Sequence, residues 1–193
     1  MKRILVFFLV GILTASGWAG SYSPELVKKA EAGDSQSQCA LGHYYFHGDG
    51  VPRDLKESFK WYQKSAEQGN ALAQYRLGNL YFGGNAVTRD PKEGFKWYKK
   101  SAEQGNADAE GELALCYQMG RGVEFNFKES HKWYVKVAEH GHVYSQWQLA
   151  NFYLLGVGVP KDEKEAIKWL TKASGQGFEP AKRKLQEIQS QPK

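Results

Sequence analysis

A repeat of 36 residues constrains this chain more than any other feature of its sequence. Tryptophan recurs at that interval, at Trp61, Trp97, Trp133 and Trp169. Leucine and glycine keep the same interval, at Leu41, Leu77, Leu113 and Leu149 and at Gly69, Gly105, Gly141 and Gly177. A fixed period of this length is typical of arrays in which each short unit stacks on the next. The sequence therefore predicts a stacked repeat fold, which no linker or low-complexity segment divides.

Each unit reads as two helices joined by a tight turn, as residues 54–81 illustrate. Asp54 suits the N-cap of the helix that we term helix B, and Glu57 follows three residues later, where its carboxylate can reach back to the N-cap amide. Trp61 and Tyr62 fall on one face of this helix, at about 100° per residue. We expect that face to be buried, with the four repeated tryptophans as the structural core of the array.

The other helix of each unit, helix A, is exemplified by residues 71–82, which place Leu77 and Tyr81 one turn apart. The predicted domain covers residues 20–189, with full repeats at about 35–70, 71–106, 107–142 and 143–178, half-repeat caps at 23–33 and 178–189, and a disordered tail at 190–193. Terminal caps are needed because the end units of a stack would otherwise expose apolar faces. The predicted fold class is all-α, a solenoid of antiparallel helix hairpins.

The first 19 residues have the composition of a secretory signal peptide. Lys2 and Arg3 precede an apolar run at residues 4–13, and small side chains at positions 17 and 19 favour cleavage after Ala19. The apolar run is too short to span a bilayer, which needs about 20 residues. We expect a periplasmic or secreted protein with no transmembrane segment in the mature form; an uncleaved N-terminal anchor is the alternative.

The two cysteines and the net charge bear on whether the chain forms a disulfide and whether it binds nucleic acid. Cys39 and Cys116 lie on repeats that should not touch, so we expect two buried free thiols rather than a disulfide. The chain carries a formal net charge of +5, and loss of Lys2 and Arg3 with the signal leaves +3. That charge is too small to indicate a nucleic-acid partner.

The repeated pattern Leu-Gly-x-x-Tyr…Gly-x-Gly-Val-x-x-Asp…Lys-x-x-x-Trp-Tyr-x-Lys-x-Ala-Glu-x-Gly resembles the Sel-one-like (Sel1-like, SLR) repeat family, which is related to the tetratricopeptide repeat. The resemblance covers about residues 31–184; Ala86 replaces a turn glycine and Leu170 replaces the tyrosine after tryptophan. It implies a right-handed superhelix that binds other proteins, with helix A on the concave side. It implies no shared catalytic residue, and we expect no cofactor.

Positions that differ among the repeats at one helical phase are free to carry recognition. The candidate binding residues on helix A are Tyr75, Asn79, Phe82, Glu112, Trp147 and Asn151. Aromatic rings with amides suit a bound peptide, because rings supply contact area and amides pair with backbone groups. The alternative is that these aromatic side chains pack between repeats.

Two further patterns are candidates for functional sites. Helix B carries a lysine stripe, exemplified by Lys56, Lys60 and Lys64, which we place opposite the tryptophan face; it is either an anionic-surface contact or a solvated face. His43 and His47 lie four residues apart on one helix, but no third ligand is evident, so no metal site is predicted.

The leading functional hypothesis is a non-enzymatic protein-interaction module, an adaptor or scaffold, that holds a protein or peptide in a groove of A helices. One alternative is an enzyme, since some cysteine-rich secreted relatives have been linked to β-lactam binding or hydrolysis; those relatives carry paired cysteines that this chain lacks. Another is an envelope scaffold that uses its lysine face.

Overall fold

The structure, a computed structural model, describes residues 21–190 and shows ten α-helices and no strand within them. The proposed signal peptide and residues 191–193 lie outside the described residues. In chain order the helices are α1 Pro24–Glu31, α2 Ser35–His47, α3 Leu55–Glu67, α4 Ala71–Gly83, α5 Pro91–Glu103, α6 Ala107–Met119, α7 Phe127–Glu139, α8 Val143–Leu155, α9 Glu163–Gly175 and α10 Glu179–Gln189. No helix among residues 21–190 is both long and apolar enough to cross a lipid bilayer.

The helices form four hairpins, each pairing an A helix with the B helix that follows it. Helices α2, α4, α6 and α8 are the A helices, and α3, α5, α7 and α9 are the B helices. Each helix packs mainly on the helices before and after it in the chain, as expected for a quasi-one-dimensional stack. The predicted all-helical repeat fold is confirmed. Helices α1 and α10 cover the two ends of the stack.

Helix B begins with only half of the predicted capping box. The Asp54 carboxylate accepts hydrogen bonds from the backbone N–H groups of Lys56 and Glu57, at 2.9 and 3.1 Å. The Asp54 N–H, however, donates to the Tyr45 carbonyl at 2.9 Å, so it is not available to Glu57. Glu57 instead forms an ion pair with Lys60, and the other three B helices repeat that pair.

The most deeply buried large side chain of helix B is the residue after the tryptophan, not the tryptophan itself. Tyr62 and Tyr134 are almost completely buried, as is Leu170 at the same position of the last repeat. Tyr98 adds a hydrogen bond, because its hydroxyl donates to Asn79 Oδ1 at 2.6 Å. This residue therefore occupies the centre of the hairpin, and the tryptophan lies at its edge.

The four repeated tryptophans differ in burial. Trp97 and Trp169 are buried, at 9% and 6% exposure, and belong to the apolar core. Trp133 is half-buried against that core, and Trp61 is also half-buried. In every B helix the lysine three residues later places its ammonium 4.0–4.3 Å from the indole centroid.

The lysine stripe was therefore placed wrongly with respect to the tryptophans. Lys64 and its three counterparts lie over the indole rings, where a cation–π contact holds each ammonium. Lys60 and its counterparts pair with the glutamate three residues earlier. Two of the three lysines in each repeat thus have partners within their own helix.

Aromatic contacts join one repeat to the next. Phe59 of one B helix meets Tyr81 of the next A helix edge to face, with centroids 5.5 Å apart. Phe95 and Tyr117 repeat the contact at 5.3 Å, and His131 with Tyr153 does so at the same distance. Pairs of this geometry contribute about 0.5–1.5 kcal/mol beyond their buried area. They hold successive hairpins in one register.

Both cysteines are free and buried, as predicted. Cys39 lies on α2 and Cys116 on α6, with a complete hairpin between them. Burial raises the pKa of each thiol to about 12. Both side chains therefore act as small apolar groups of the core.

Candidate functional site

One face of helix α6 lines a pocket between neighbouring repeats. Asn106 caps the helix, since its side chain accepts a hydrogen bond from the Ala109 N–H at 2.9 Å. The spacing after the cap brings four residues to one side, namely Asp108, Gly111, Glu112 and Leu115. A single helical face thereby combines two carboxylates, an apolar side chain and a gap.

The pocket has a volume of 440 Å³, within the range of small-ligand sites. Tyr75 of α4 lines it from the preceding repeat, and Tyr144 of α8 does so from the following repeat. Tyr134 and Val137 come from α7, and His140, Gly141 and His142 from the turn after it. Three successive A helices thus contribute to one cavity, which exists only because the repeats stack.

Gly111 leaves the space that the pocket occupies. It sits in the middle of α6, where glycine is about 0.5–1 kcal/mol less favourable than alanine. A Cβ atom added there would meet nothing within 4 Å, so close packing does not demand the glycine. The corresponding positions of the flanking A helices carry Tyr75 and Trp147. The third repeat therefore has a vacancy where its neighbours have large aromatic rings.

The pocket is electronegative. Its lining includes Asp108 and Glu112 and no lysine or arginine among residues 21–190. Burial raises the pKa of the half-buried Glu112 carboxyl; the Arg121 charge acts in the opposite direction and Asp108 adds to the rise. Glu112 has no ion pair within the described part of the chain. Its carboxylate has thus lost part of its hydration without gaining a direct cationic partner.

The structure brings only two of the predicted binding residues together in this pocket, Tyr75 and Glu112. Phe82 is buried and stacks on Tyr98, with centroids 5.0 Å apart and planes 13° apart. It belongs to the core, as the packing alternative anticipated, and does not reach an open groove. Asn79 is half-buried and accepts the Tyr98 hydroxyl hydrogen bond.

The two candidates on α8 lie elsewhere. Trp147 is half-buried and packs against Phe178, with ring centroids 5.9 Å apart. Asn151 donates to Gln148 Oε1 at 3.4 Å and lines a separate hollow of 310 Å³ between α8 and α10. Neither residue lines the pocket at Gly111.

The histidines of α2 form no candidate metal site. The His43 and His47 rings lie 4.3 Å apart, centroid to centroid, and His43 is buried. Over residues 21–190, no three or more His, Cys, Asp or Glu side chains group closely enough to hold a metal ion.

Comparison with known proteins decides the family. The Sel1 repeat model matches residues 35–70, 71–106, 107–142 and 143–178. The chain belongs to the Sel1 repeat family. Proteins built from Sel1 repeats generally mediate protein–protein interaction, and this is the general role that membership supports.

Solved structures agree with this assignment. A protective antigen of uropathogenic Escherichia coli with an SLR fold is 39% identical with a TM-score of 0.81, over 84% of this chain and 35% of its own. A Sel1 repeat protein from Oxalobacter formigenes is 36% identical with a TM-score of 0.71, over 80% of this chain and 63% of its own. This Sel1 repeat chain thus spans less than two thirds of the length of either.

More distant similarity shows the fold alone. Helicobacter pylori cysteine rich protein B is 20% identical with a TM-score of 0.51, and it covers 63% of this chain and 92% of its own. A comparison with curated proteins returns no significant match.

The pocket residues that sequence reasoning missed include Asp108 and Gly111. Both could have been found by reading the repeats as columns. Glycine at position 111 breaks a column that otherwise holds Cys39, Tyr75 and Trp147. Sequence reasoning followed the large side chains of this column, whereas the cavity is created by the small one.

Proposed function

We propose that this Sel1 repeat protein is a non-enzymatic interaction module whose A helices hold a segment of a partner protein at the Gly111 pocket. The observation that carries the proposal is the pocket itself, which is open, aromatic and acidic, and is built by three successive repeats. Residues from separate repeats converge there, and the buried Tyr134 forms the base of the pocket within the core of its hairpin. The general role of the family in protein–protein interaction supports the same reading.

The best contacts are the side chains that remain accessible at the pocket rim. Tyr144 is 42% exposed and lines the cavity. Tyr75 and Glu112 are half-buried there. A tyrosine anchor beside a charged group suits a protein contact, because the ring buries apolar area while its hydroxyl can pair with a backbone group.

Site-specific photo-crosslinking tests the proposal. A benzophenone amino acid replaces Tyr144 in one variant and Phe125 in the control, since Phe125 is 68% exposed but lies away from this pocket. We expect a discrete protein adduct from position 144 and none of that mass from position 125. Equal adducts at both positions, or none at 144, would contradict a partner site at this groove.

Substitutions then measure the contribution of each ring to capture of that cross-linked partner. Tyr144→Ala should weaken capture strongly and leave the melting temperature nearly unchanged, because the side chain is exposed. Tyr75→Ala should weaken capture and also lower stability, because Tyr75 packs on Tyr98 at 5.9 Å. Phe125→Ala serves as the control for loss of an exposed ring.

We also propose that the chain acts in the periplasm or outside the cell, on the basis of the sequence of its first 19 residues. Intact-mass analysis of exported protein should show a chain that begins at Gly20. A full-length mass in the membrane fraction would instead support an uncleaved anchor. No observation favours the β-lactam alternative, and a chromogenic β-lactam assay on purified protein should give no hydrolysis above background.

A further inference from the structure

We propose that the Gly111 pocket receives a cationic side chain, lysine or arginine, from an extended segment of the partner protein. The inference rests on the proposed interaction function and specifies the chemistry by which the partner is recognised. Three independent features of the pocket support it: its shape, its charge and its aromatic lining.

The shape argument begins with the column that contains Gly111. Its neighbours in the stack carry Tyr75 and Trp147, so an aromatic ring at 111 would occupy the cavity. Its Cβ position is open and the cavity measures 440 Å³, enough for a long side chain to enter. The vacancy lies between the rings of Tyr75 and Tyr144, which can contact the aliphatic stem of that side chain.

The charge argument rests on where the carboxylates lie. Asp108 and Glu112 face the cavity, whereas the corresponding positions of α4 are Leu72 and Arg76 and those of α8 are Tyr144 and Gln148. Of these three A helices, only α6 carries negative charge at the two positions, and α6 is also the helix that contains Gly111. The chain as a whole has a net positive charge, whereas the charged side chains that line this pocket are negative.

The groups around Glu112 leave room for a cation. The Arg121 charge acts on the Glu112 carboxyl, but its guanidinium lies over the Phe82 ring at 4.8 Å and forms no ion pair with Glu112 in the described chain. Burial has already removed part of the hydration of Glu112. An incoming ammonium or guanidinium would restore the lost stabilisation of that carboxylate.

The aromatic lining favours the same class of ligand. The exposed Tyr144 ring lines the cavity, and the negative face of a tyrosine ring attracts cations. Tyr75 also lines the cavity and already has the Arg76 guanidinium 5.4 Å from its ring centroid. The chain already uses this interaction, since four of its lysines lie over tryptophan rings. Rings together with carboxylates distinguish a cationic side chain from a neutral one of similar length.

The test uses purified protein and three pentapeptides of the form acetyl-Gly-Gly-X-Gly-Gly-amide. X is arginine, its neutral analogue citrulline, or glutamate. Binding is followed by amide chemical shifts of the ¹⁵N-labelled full chain. We expect the arginine peptide to shift signals of residues 108–115 and 144, and the citrulline peptide to bind about tenfold more weakly. We expect no binding of the glutamate peptide.

Variants of the protein complete the test. Glu112→Gln together with Asp108→Asn should weaken arginine-peptide binding about tenfold and remove its salt dependence. Gly111→Trp should abolish binding by filling the cavity, with Gly111→Leu as a second filling variant, whereas Gly111→Ala should retain it. Glu163→Gln, an exposed carboxylate on α9, is the matched control and should bind normally. Circular dichroism checks that each variant is folded.

The outcomes separate this inference from the proposed function. Equal binding of the arginine and citrulline peptides, preference for glutamate, or no shift at residues 108–115 would overturn the cationic ligand. If the partner cross-linked at position 144 binds the Glu112→Gln, Asp108→Asn variant as well as the parent, the groove function stands and the cationic inference fails. If arginine binds as expected but no partner adduct forms at 144, the pocket chemistry stands and the interaction function fails.

Discussion

A ladder of glutamine side chains runs along the stack and is interrupted in the third repeat. Gln74 donates to the Ala66 carbonyl at 3.1 Å and accepts from Gln104 at 2.7 Å. The first and fourth repeats form the same two bonds. The third repeat carries Glu110 and His140 at the two glutamine positions. A carboxylate cannot donate to the carbonyl that an amide would reach, so one rung between repeats is lost.

Restoring this rung should stabilise the protein. Glu110 is 5% exposed, and in the described part of the chain it lacks the bond to a backbone carbonyl that glutamine makes in the other three repeats. We expect Glu110→Gln to raise the free energy of unfolding by about 1 kcal/mol, the net value of one hydrogen bond. Urea denaturation measures it, with the exposed Glu163→Gln as control. A change no larger than that of the control would contradict the ladder as a source of stability.

The two thiols should be protected by the fold. Because Cys39 and Cys116 are buried, we expect neither to react with a thiol reagent at pH 8 in native protein, and both to react in urea. Burial raises the pKa of each thiol to about 12 from 9.0. The stabilisation that the neutral thiols provide is therefore complete below pH 9 and is lost progressively as the pH rises from 9 toward 12. Rapid labelling of native protein would contradict their burial.

Glu112 shows how a proposed binding group can reduce stability. Burial raises the pKa of its carboxyl, so the folded state favours the protonated form. The ionised group therefore opposes folding in full above its folded pKa, and the opposition decreases as the pH falls through that value and is gone below the ordinary pKa of 4.5.

At the scale of the element, helix B is an amphipathic unit whose charged side chains serve its own structure. Its glutamate at the third position pairs with one lysine, and a second lysine covers the indole. Exposed pairs of this kind contribute only about 0.3–0.5 kcal/mol each. The lysine stripe is therefore largely committed to local contacts, which weakens its interpretation as a surface for anionic lipids or glycans.

Tryptophan substitutions should separate buried from half-buried copies. Trp97→Ala should lower the free energy of unfolding by about 3–5 kcal/mol, because the ring belongs to the core. Trp61→Ala should cost roughly half as much, since its ring is half-buried and part of its contact is with Lys64. Chemical denaturation of the two variants gives the comparison. Equal losses of unfolding free energy in the two variants would show that the exposed fraction of each tryptophan does not determine its contribution to stability.

At the scale of the whole molecule, stability is the sum of hairpins and of the interfaces between them. Such stacks depend on their end units, because an uncovered interface exposes apolar surface. Helix α10 covers the last hairpin, and Ala181, Leu185 and Ile188 pack into the core cluster of α8 and α9. Its outer side carries Lys182 and Glu187.

Removing this cap should therefore expose the stack. A chain truncated after Gly177 should have a lower melting temperature and should self-associate, because the apolar surface of α9 is uncovered. Light scattering and thermal denaturation measure both effects. Truncation after Ser190 is the control, because it removes only residues 191–193. A truncated chain as stable and monomeric as the control would show that α10 is not a structural cap.

Column-wise comparison within the chain was sufficient for the element order and for the N-cap residues of helix B, although the predicted contact of Glu57 with the Asp54 amide was wrong. The reason is that those features depend on short-range signals repeated four times, such as Asp54 and Gly69. The candidate site was predicted only in part. Tyr75 and Glu112 meet in the pocket, but Phe82 turned inward to stack on Tyr98. Helical phase alone does not tell whether a ring faces a groove or the next helix.

The sequence by itself determined that this protein is a stack of helix hairpins, because periodicity, capping and turn residues act over a few positions along the chain. Only the tertiary structure decided where a pocket lies on this stack. The space above Gly111 lies between residues of three successive A helices, including Tyr75 and Tyr144. The distance between these helices is set by the packing of the repeats, which cannot be read from local sequence. A cavity is defined by atoms that are absent, so it depends on how the surrounding helices come together.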